Sequence, residues 1–127
     1  MVVSRLTTAF LIAFALPPLA GCGETVTHRE RIPFSRGNVE LVITSVGSAL
    51  GEERYELKFM NGNHAQTFFR GANFSEFKSA ERDGKFAIQI CKGWIDHAEP
   101  IGVGEGENFD VIRLDLNWNC LDKRHDA

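Results

Sequence analysis

The segment from Trp94 to Asp110 contains the residues whose types and spacing could carry chemistry. Asp96 and His97 are adjacent and lie close to Trp94, and a carboxylate beside an imidazole can orient the ring for general-base catalysis. Covalent catalysis also needs a nucleophile, and the chain has no Gly-x-Ser-x-Gly motif to supply one. We therefore predict no catalytic residues. A periplasmic hydrolase or metal-dependent enzyme that uses Asp96 and His97 is the alternative.

Carboxylates are dense in the same segment, which is rich in glycine between Gly102 and Asn108. Several carboxylates on such a loop could hold Ca²⁺ or contact a basic partner. Their spacing is not that of a known calcium loop, and the four histidines lack metal-ligand spacing, so we predict no metal and no cofactor. The candidate binding surface consists of Trp94, Asp96, His97, Glu99, Glu105, Glu107 and Asp110, together with Phe68 and Phe69.

Phe68 and Phe69 belong to a segment, about His64 to Arg70, that is predicted to be a strand. Successive side chains of a strand point to opposite faces of the sheet. We therefore expect one of the two rings in the core and the other exposed or covered by another element. An exposed ring would mark a binding face.

The elements that must position these residues are strands, because apolar and polar residues alternate with period two through much of 38–120. The stretch 54–59 shows this most clearly. Asn61-Gly62 predicts a hairpin with a type I′ turn, and Asp83-Gly84 predicts a second hairpin. With about seven strands and no convincing helix, we predict an all-β fold, an antiparallel two-sheet β-sandwich that is immunoglobulin-like in outline. A small β-barrel is the alternative.

The N-terminus has the order of a secretory signal peptide. Arg5 is followed by the apolar run 6–16, by Pro17-Pro18 and by Leu19-Ala20-Gly21-Cys22. The apolar run has 11 residues, whereas about 20 are needed to span a bilayer, and prolines disrupt a helix interior. A retained helix and cleavage without lipid attachment are the alternatives left open.

Leu19-Ala20-Gly21-Cys22 resembles a bacterial lipobox. The resemblance covers residues 1–22 and implies cleavage before Cys22, a diacylglyceryl group on its thiol and a place in the bacterial cell envelope. Two or more acyl chains hold a protein stably on a membrane. Gly23 stands where an aspartate would favour inner-membrane retention, which implies the periplasmic face of the outer membrane in a Gram-negative cell.

Removing residues 1–21 from the 127-residue chain leaves 106 residues, the size of one domain. We predict a signal peptide at 1–21, a lipidated N-terminus, tether and start of the first strand at 22–37, the sandwich at 38–120 and a polar tail at 121–127. The mature chain has 13 basic and 17 acidic residues. A net charge of about −4 without a basic patch predicts no nucleic-acid partner.

If Cys22 carries lipid, Cys91 and Cys120 remain as a pair in an exported protein, which predicts one disulfide. Two free thiols are the alternative. Each cysteine ends a predicted strand, so the bridge requires the two strands to run in the same direction, with 93–108 crossing back between them and Trp94–Ala98 as a short return strand. By its position Cys91 does not share the face of Ile88 and Ile90 in its strand, which predicts a bulge near Cys91 or a bridge just beyond the regular pairing.

These features together predict a lipid-anchored envelope protein whose β domain binds a protein or an envelope component, in an inhibitor, immunity or assembly role. A structural lipoprotein without a ligand is the other non-enzymatic alternative. Partner binding predicts an exposed aromatic or acidic patch within 94–110 or 68–77. The enzyme predicts a concave pocket that joins Asp96, His97 and a further histidine or carboxylate.

Overall fold

The computed structural model describes residues 23–47 and 51–120, so the predictions for the leader, Cys22 and the polar tail lie outside the described residues. The described chain forms ten strands and a short 3-10 helix, Gly106–Asn108. The strands are β1 (Glu24–Ile32), β2 (Asn38–Val46), β3 (Glu52–Asn61), β4 (His64–Ala72), β5 (Glu76–Arg82), β6 (Lys85–Cys91), β7 (Trp94–Ala98), β8 (Ile101–Val103), β9 (Asp110–Ile112) and β10 (Leu114–Trp118).

Two open sheets face each other, which confirms the all-β sandwich. The larger sheet has the order β1-β2-β3-β4-β7, and the smaller has the order β10-β6-β5. β8 and β9 form a third sheet of two strands. The barrel alternative is wrong, because the sheets are not closed. There are more than seven strands because Gly102 and Val103, predicted as loop, belong to β8, and because Arg113 divides the predicted strand Phe109 to Cys120.

The first strand occupies much of the segment 22–37, predicted to contain the lipidated N-terminus, the tether and the start of this strand. β1 starts at Glu24, and the N–H of Gly47 donates to the carbonyl of Gly23, so the described part of the predicted tether is already held in the sheet. The polar residues of β1 pair with β2 through the backbone, which does not require apolar side chains.

Both predicted hairpins are present, with one difference in turn type. Asp83 and Gly84 both have positive φ, as a type I′ turn requires. At the first hairpin Asn61 pairs with His64, so the turn residues are Gly62 and Asn63, and only Gly62 has positive φ. That is the pattern of a type II′ turn, in which glycine takes the first central position. The turn is shifted by one residue from the predicted one.

Phe68 and Phe69 do not point to opposite faces of the sheet, and the prediction that one could belong to a binding surface is wrong. Both rings are fully buried in the core. The register between β3 and β4 shifts between Leu57 and Lys58, so two residues of β4 occupy the space of one. Such a bulge breaks strict alternation. Phe68 packs edge-on against Phe86 with ring centroids 5.3 Å apart, and Phe69 packs against other rings of the core.

The disulfide is present and joins strands that run in the same direction, as predicted. Cys91 and Cys120 have Cα atoms 4.8 Å apart, and β6 and β10 pair in parallel from Leu114 opposite Phe86 to Trp118 opposite Ile90. The bridge lies just beyond this regular pairing, which accommodates the phase of Cys91. It closes a loop with a sequence separation of 29, worth about 3 to 4 kcal/mol on the chain-entropy estimate.

Residues Trp94–Ala98 form the predicted return strand, but this strand lies in the opposite sheet. β7 pairs with β4 at the edge of the five-stranded sheet. The chain therefore leaves the small sheet after Cys91, crosses the sandwich and returns to it as β10. β7 and β10 are both edge strands, and residues of both line one groove on the same side of the sandwich, which we call the β7–β10 side.

The burial of both Phe68 and Phe69 can be tested by substitution. Because both rings are buried without exposure, we expect Phe68→Ala and Phe69→Ala each to lower the free energy of unfolding by about 3 to 5 kcal/mol, measured by urea denaturation. Phe109→Ala, at an exposed aromatic position, is the matched control and should cost much less. A small loss of unfolding free energy for either Phe68→Ala or Phe69→Ala would contradict the burial of both rings and favour the strict alternation of faces.

Candidate interaction surface

β7, the edge strand of the large sheet on the β7–β10 side, contains Trp94, Asp96 and His97. The register of β7 on β4 shifts between Arg70 and Gly71, so Asp96 is an extra residue in the strand. This bulge leaves Ile95 packed against the core, whereas Trp94 is 43% exposed. The hydrogen bond from Arg54 to Glu52 is the main cause that raises the pKa of Arg54, and the negative charges of Glu24 and then Asp96 add smaller effects.

The imidazole of His97 pairs with Glu99 rather than with Asp96. The other oxygen of Glu99 accepts a hydrogen bond of 2.6 Å from the side-chain amide of Gln66, which also donates to the carbonyl of Pro100. The hydrogen bond from Gln66, followed by the interaction with His97, lowers the pKa of Glu99. No serine, threonine or cysteine in the described part of the chain hydrogen-bonds to His97, so the enzyme alternative has no hydrogen-bonded nucleophile there.

The acidic residues of the segment do not converge on one point. Asp110 forms an ion pair of 3.1 Å with Arg36, and Glu105 and Glu107 are exposed at the short 3-10 helix. Within residues 23–47 and 51–120, the single group of three potential metal ligands is Glu76, Cys91 and Cys120, and its two cysteines are bonded to each other. The Ca²⁺ alternative therefore has no described ligand set.

An apolar groove of about 300 Å³ lies where β10 faces the end of β7. Its lining residues are Ala98, Glu99, Pro100, Arg113, Leu114 and Leu116. Leu116 is 39% exposed, and Trp118, farther along the same strand face, is 55% exposed while its ring contacts Phe74. Of the seven exposed large apolar residues in the described chain, four lie between Phe109 and Trp118. The exposed apolar surface of the described residues is thus concentrated between Phe109 and the end of β10.

Sequence reasoning missed Leu116 and Trp118 as surface residues. They alternate with polar residues as core residues do, and they share the face of the buried Ile88 and Ile90. However, β10 is an edge strand, and the opposite sheet does not cover its inner face completely. The signal that could have found them is their place in the final strand, because the predicted parallel pairing with β6 leaves that strand at an edge.

β10 also differs from the other edge strands of the two large sheets. Natural proteins protect sheet edges with charges, bulges or prolines. β1 has four consecutive charged or titratable residues and a bulge, β5 has four charged residues, and β7 is bulged at Asp96. β10 has the sequence Leu-Asp-Leu-Asn-Trp, with Asp115 as its one charge and no irregularity in its pairing. It is the least protected edge among these four.

A larger cavity, of about 390 Å³, lies beside β5 and β6. Its walls include Lys78, Arg82 and Asp115, and the hydroxyl of Ser79, which also lines it, has no hydrogen-bond partner among the described residues. Neither this cavity nor the apolar groove is lined by Asp96 or His97. The concave pocket that the enzyme alternative requires does not form at these two places.

The link between Gln66 and Glu99 can be tested by titration. A carboxylate with a lowered pKa in the folded state contributes stability that is present above its ordinary pKa of 4.5 and is lost as the pH falls through the lowered value. We expect Gln66→Ala to raise the pKa of Glu99 in a ¹³C NMR titration, and His97→Ala to raise it less. A Glu99 pKa that is unchanged in Gln66→Ala would contradict this assignment.

Comparison of this chain with protein-family models, with curated proteins and with solved structures finds no match. Within the described residues, no helix has the length and apolar character needed to cross a membrane. Function must therefore be inferred from the leader sequence and from the geometry of the β7–β10 side.

Proposed function

We propose that this chain is a lipid-anchored bacterial envelope protein whose β-sandwich binds another protein through its β7–β10 side. The observation that carries the proposal is the exposed and least protected edge strand β10, with Leu116 and Trp118 beside an apolar groove. No enzymatic step is included in the proposal.

The lipid anchor is supported by the lipobox-like residues 19–22. A thiol acylated at Cys22 would lie two residues before β1, which begins at Glu24. Such an anchor would hold the sandwich against the bilayer with almost no tether between them. Gly23 favours the periplasmic face of the outer membrane if the cell is Gram-negative.

A protein partner is supported by the chemistry of the β7–β10 side. An edge strand offers free N–H and C=O groups to an added strand, and the neighbouring groove can take alternate apolar side chains of that strand. The aromatic anchor Trp118 is of the type enriched at the centres of protein interfaces. A net negative charge and the absence of a basic patch disfavour nucleic acid.

The anchor is tested by intact mass of protein purified from native membranes. We expect the mass of residues 22–127 plus a lipid group, with two thiols that react with an alkylating reagent only after reduction. Cys22→Ser is the control and should abolish both lipid attachment and sedimentation with membranes. An unlipidated mass for the wild-type chain would overturn the anchor.

The binding surface is tested by photo-crosslinking in intact cells. A benzophenone amino acid in place of Leu116 should yield covalent protein adducts on irradiation. The same amino acid in place of Val26, which is 45% exposed on the charged edge strand β1, is the matched control and should yield none. Equal adducts at both positions, or none at Leu116, would contradict a binding role for the β7–β10 side.

A further inference from the structure

We propose that the protein bound at the β10 edge is a second copy of this chain, paired antiparallel through β10 of each copy. This inference rests on the proposed function, because it names the partner of the same surface. It follows from the direction of the backbone groups of β10, from the order of its side chains and from the weak protection of this edge compared with the other three.

In β10 the backbone groups of alternate residues point away from β6. The carbonyl of Arg113 accepts from the N–H of Phe86, and the N–H of Asn119 donates to the carbonyl of Ile90. The N–H and C=O of one residue point to the same side of a strand, and successive residues alternate. The backbone N–H and C=O groups of Asp115 and Asn117 therefore point to β6 and form hydrogen bonds with it. The alternate residues, whose backbone groups point away from the sheet, are Leu114, Leu116 and Trp118.

A symmetric antiparallel pair must place one residue opposite its own copy. If that residue is Leu116, then Leu114 of one copy faces Trp118 of the other. This gives three pairs, namely Leu116 with Leu116 and the two symmetry-related pairs of Leu114 with Trp118. All of these residues have outward backbone groups, and each pair can exchange two hydrogen bonds. The apolar side chains then meet one another on the groove side, where Leu116 and Trp118 are now exposed.

The outer face of the same pairing is also complementary. With Leu116 on the symmetry axis, Asp115 of each copy faces Asn117 of the other, so the carboxylate can accept a hydrogen bond from the amide. Moving the axis to Asp115 would place two like charges opposite each other, which is destabilising. Moving it to Asn117 would lose one of the three backbone pairs within the strand. The sequence of β10 thus selects one register.

The contact is small for a stable interface, since it involves one five-residue strand per copy. Attachment of both copies to one membrane would raise their effective concentration and favour the pair. The symmetry axis is perpendicular to the paired sheet. Two sandwiches that lie with their sheets along the bilayer can therefore keep both lipidated ends on the same membrane surface.

The test is disulfide crosslinking of the full chain in native membranes. Opposite residues of an antiparallel hydrogen-bonded pair have Cα atoms about 5.5 Å apart, which a disulfide can span. Under a mild oxidant we expect Leu116→Cys to shift from monomer to dimer mass on a non-reducing gel. Val26→Cys, at a position on β1 that is exposed to a similar extent, should stay monomeric. Dimer formation to the same extent by both variants would indicate random collision and overturn the inference.

A second pair of variants tests the register. Asp115→Cys alone and Asn117→Cys alone should form little dimer, whereas co-expression of the two should form a mixed dimer. Both positions are exposed and point away from the core, so neither variant threatens folding. Mixed dimers that form no better than the single variants would contradict the register.

Failure of this inference can be told apart from failure of the proposed function. Benzophenone adducts at Leu116 that contain a different protein, with no dimer from Leu116→Cys, would overturn the second copy and leave the binding surface in place. The absence of both adducts and dimers would overturn both proposals.

Discussion

The parallel alignment of β6 and β10, fixed by the bridge between Cys91 and Cys120, is the constraint on which the rest of this structure depends. Parallel strands cannot be joined by a tight turn, so the chain between them must leave the sheet and return. In this protein it leaves through the left-handed residues Lys92 and Gly93 and enters the opposite sheet as β7. The crossover consists of three short strands and one 3-10 turn rather than of an α-helix.

This connection creates the β7–β10 side. β7 becomes the last strand of the large sheet and β10 the last strand of the small one, so both edges lie on the same side of the sandwich. The bridge holds the end of β10 next to β6, although the inner face of β10 is only partly covered. An apolar strand in this position is stable as part of the monomer and also available to a partner. The disulfide thus supports both the fold and the surface.

Much of this architecture could be predicted from the sequence. Alternation with period two gave the strands, the two glycine-containing turns gave the hairpins, and the positions of Cys91 and Cys120 required parallel strands. The remainder depended on local departures from regular geometry. A bulge places both Phe68 and Phe69 in the core, and no residue type in that strand indicates a bulge.

The candidate site was less predictable than the fold. The sequence suggests an interaction between Asp96 and His97 because a carboxylate stands next to an imidazole, yet His97 pairs with Glu99 instead. Gln66 donates a hydrogen bond to Glu99 from β4, and nothing in the sequence around Gln66 indicates this contact. Leu116 and Trp118 look like core residues, and their exposure follows from which strands lie at edges. That property belongs to the topology and not to any short stretch of sequence.

Amide hydrogen exchange of β10 in the membrane-bound protein tests the central claim most directly. The amides of Asp115 and Asn117 bond to β6, whereas those of Leu114, Leu116 and Trp118 point away from the sheet. If a strand is bound at this edge, all five amides should exchange slowly in membranes, and the three outward amides should become fast when the protein is diluted in detergent. Outward amides that exchange fast under both conditions would contradict the account, because they would show that nothing pairs with β10.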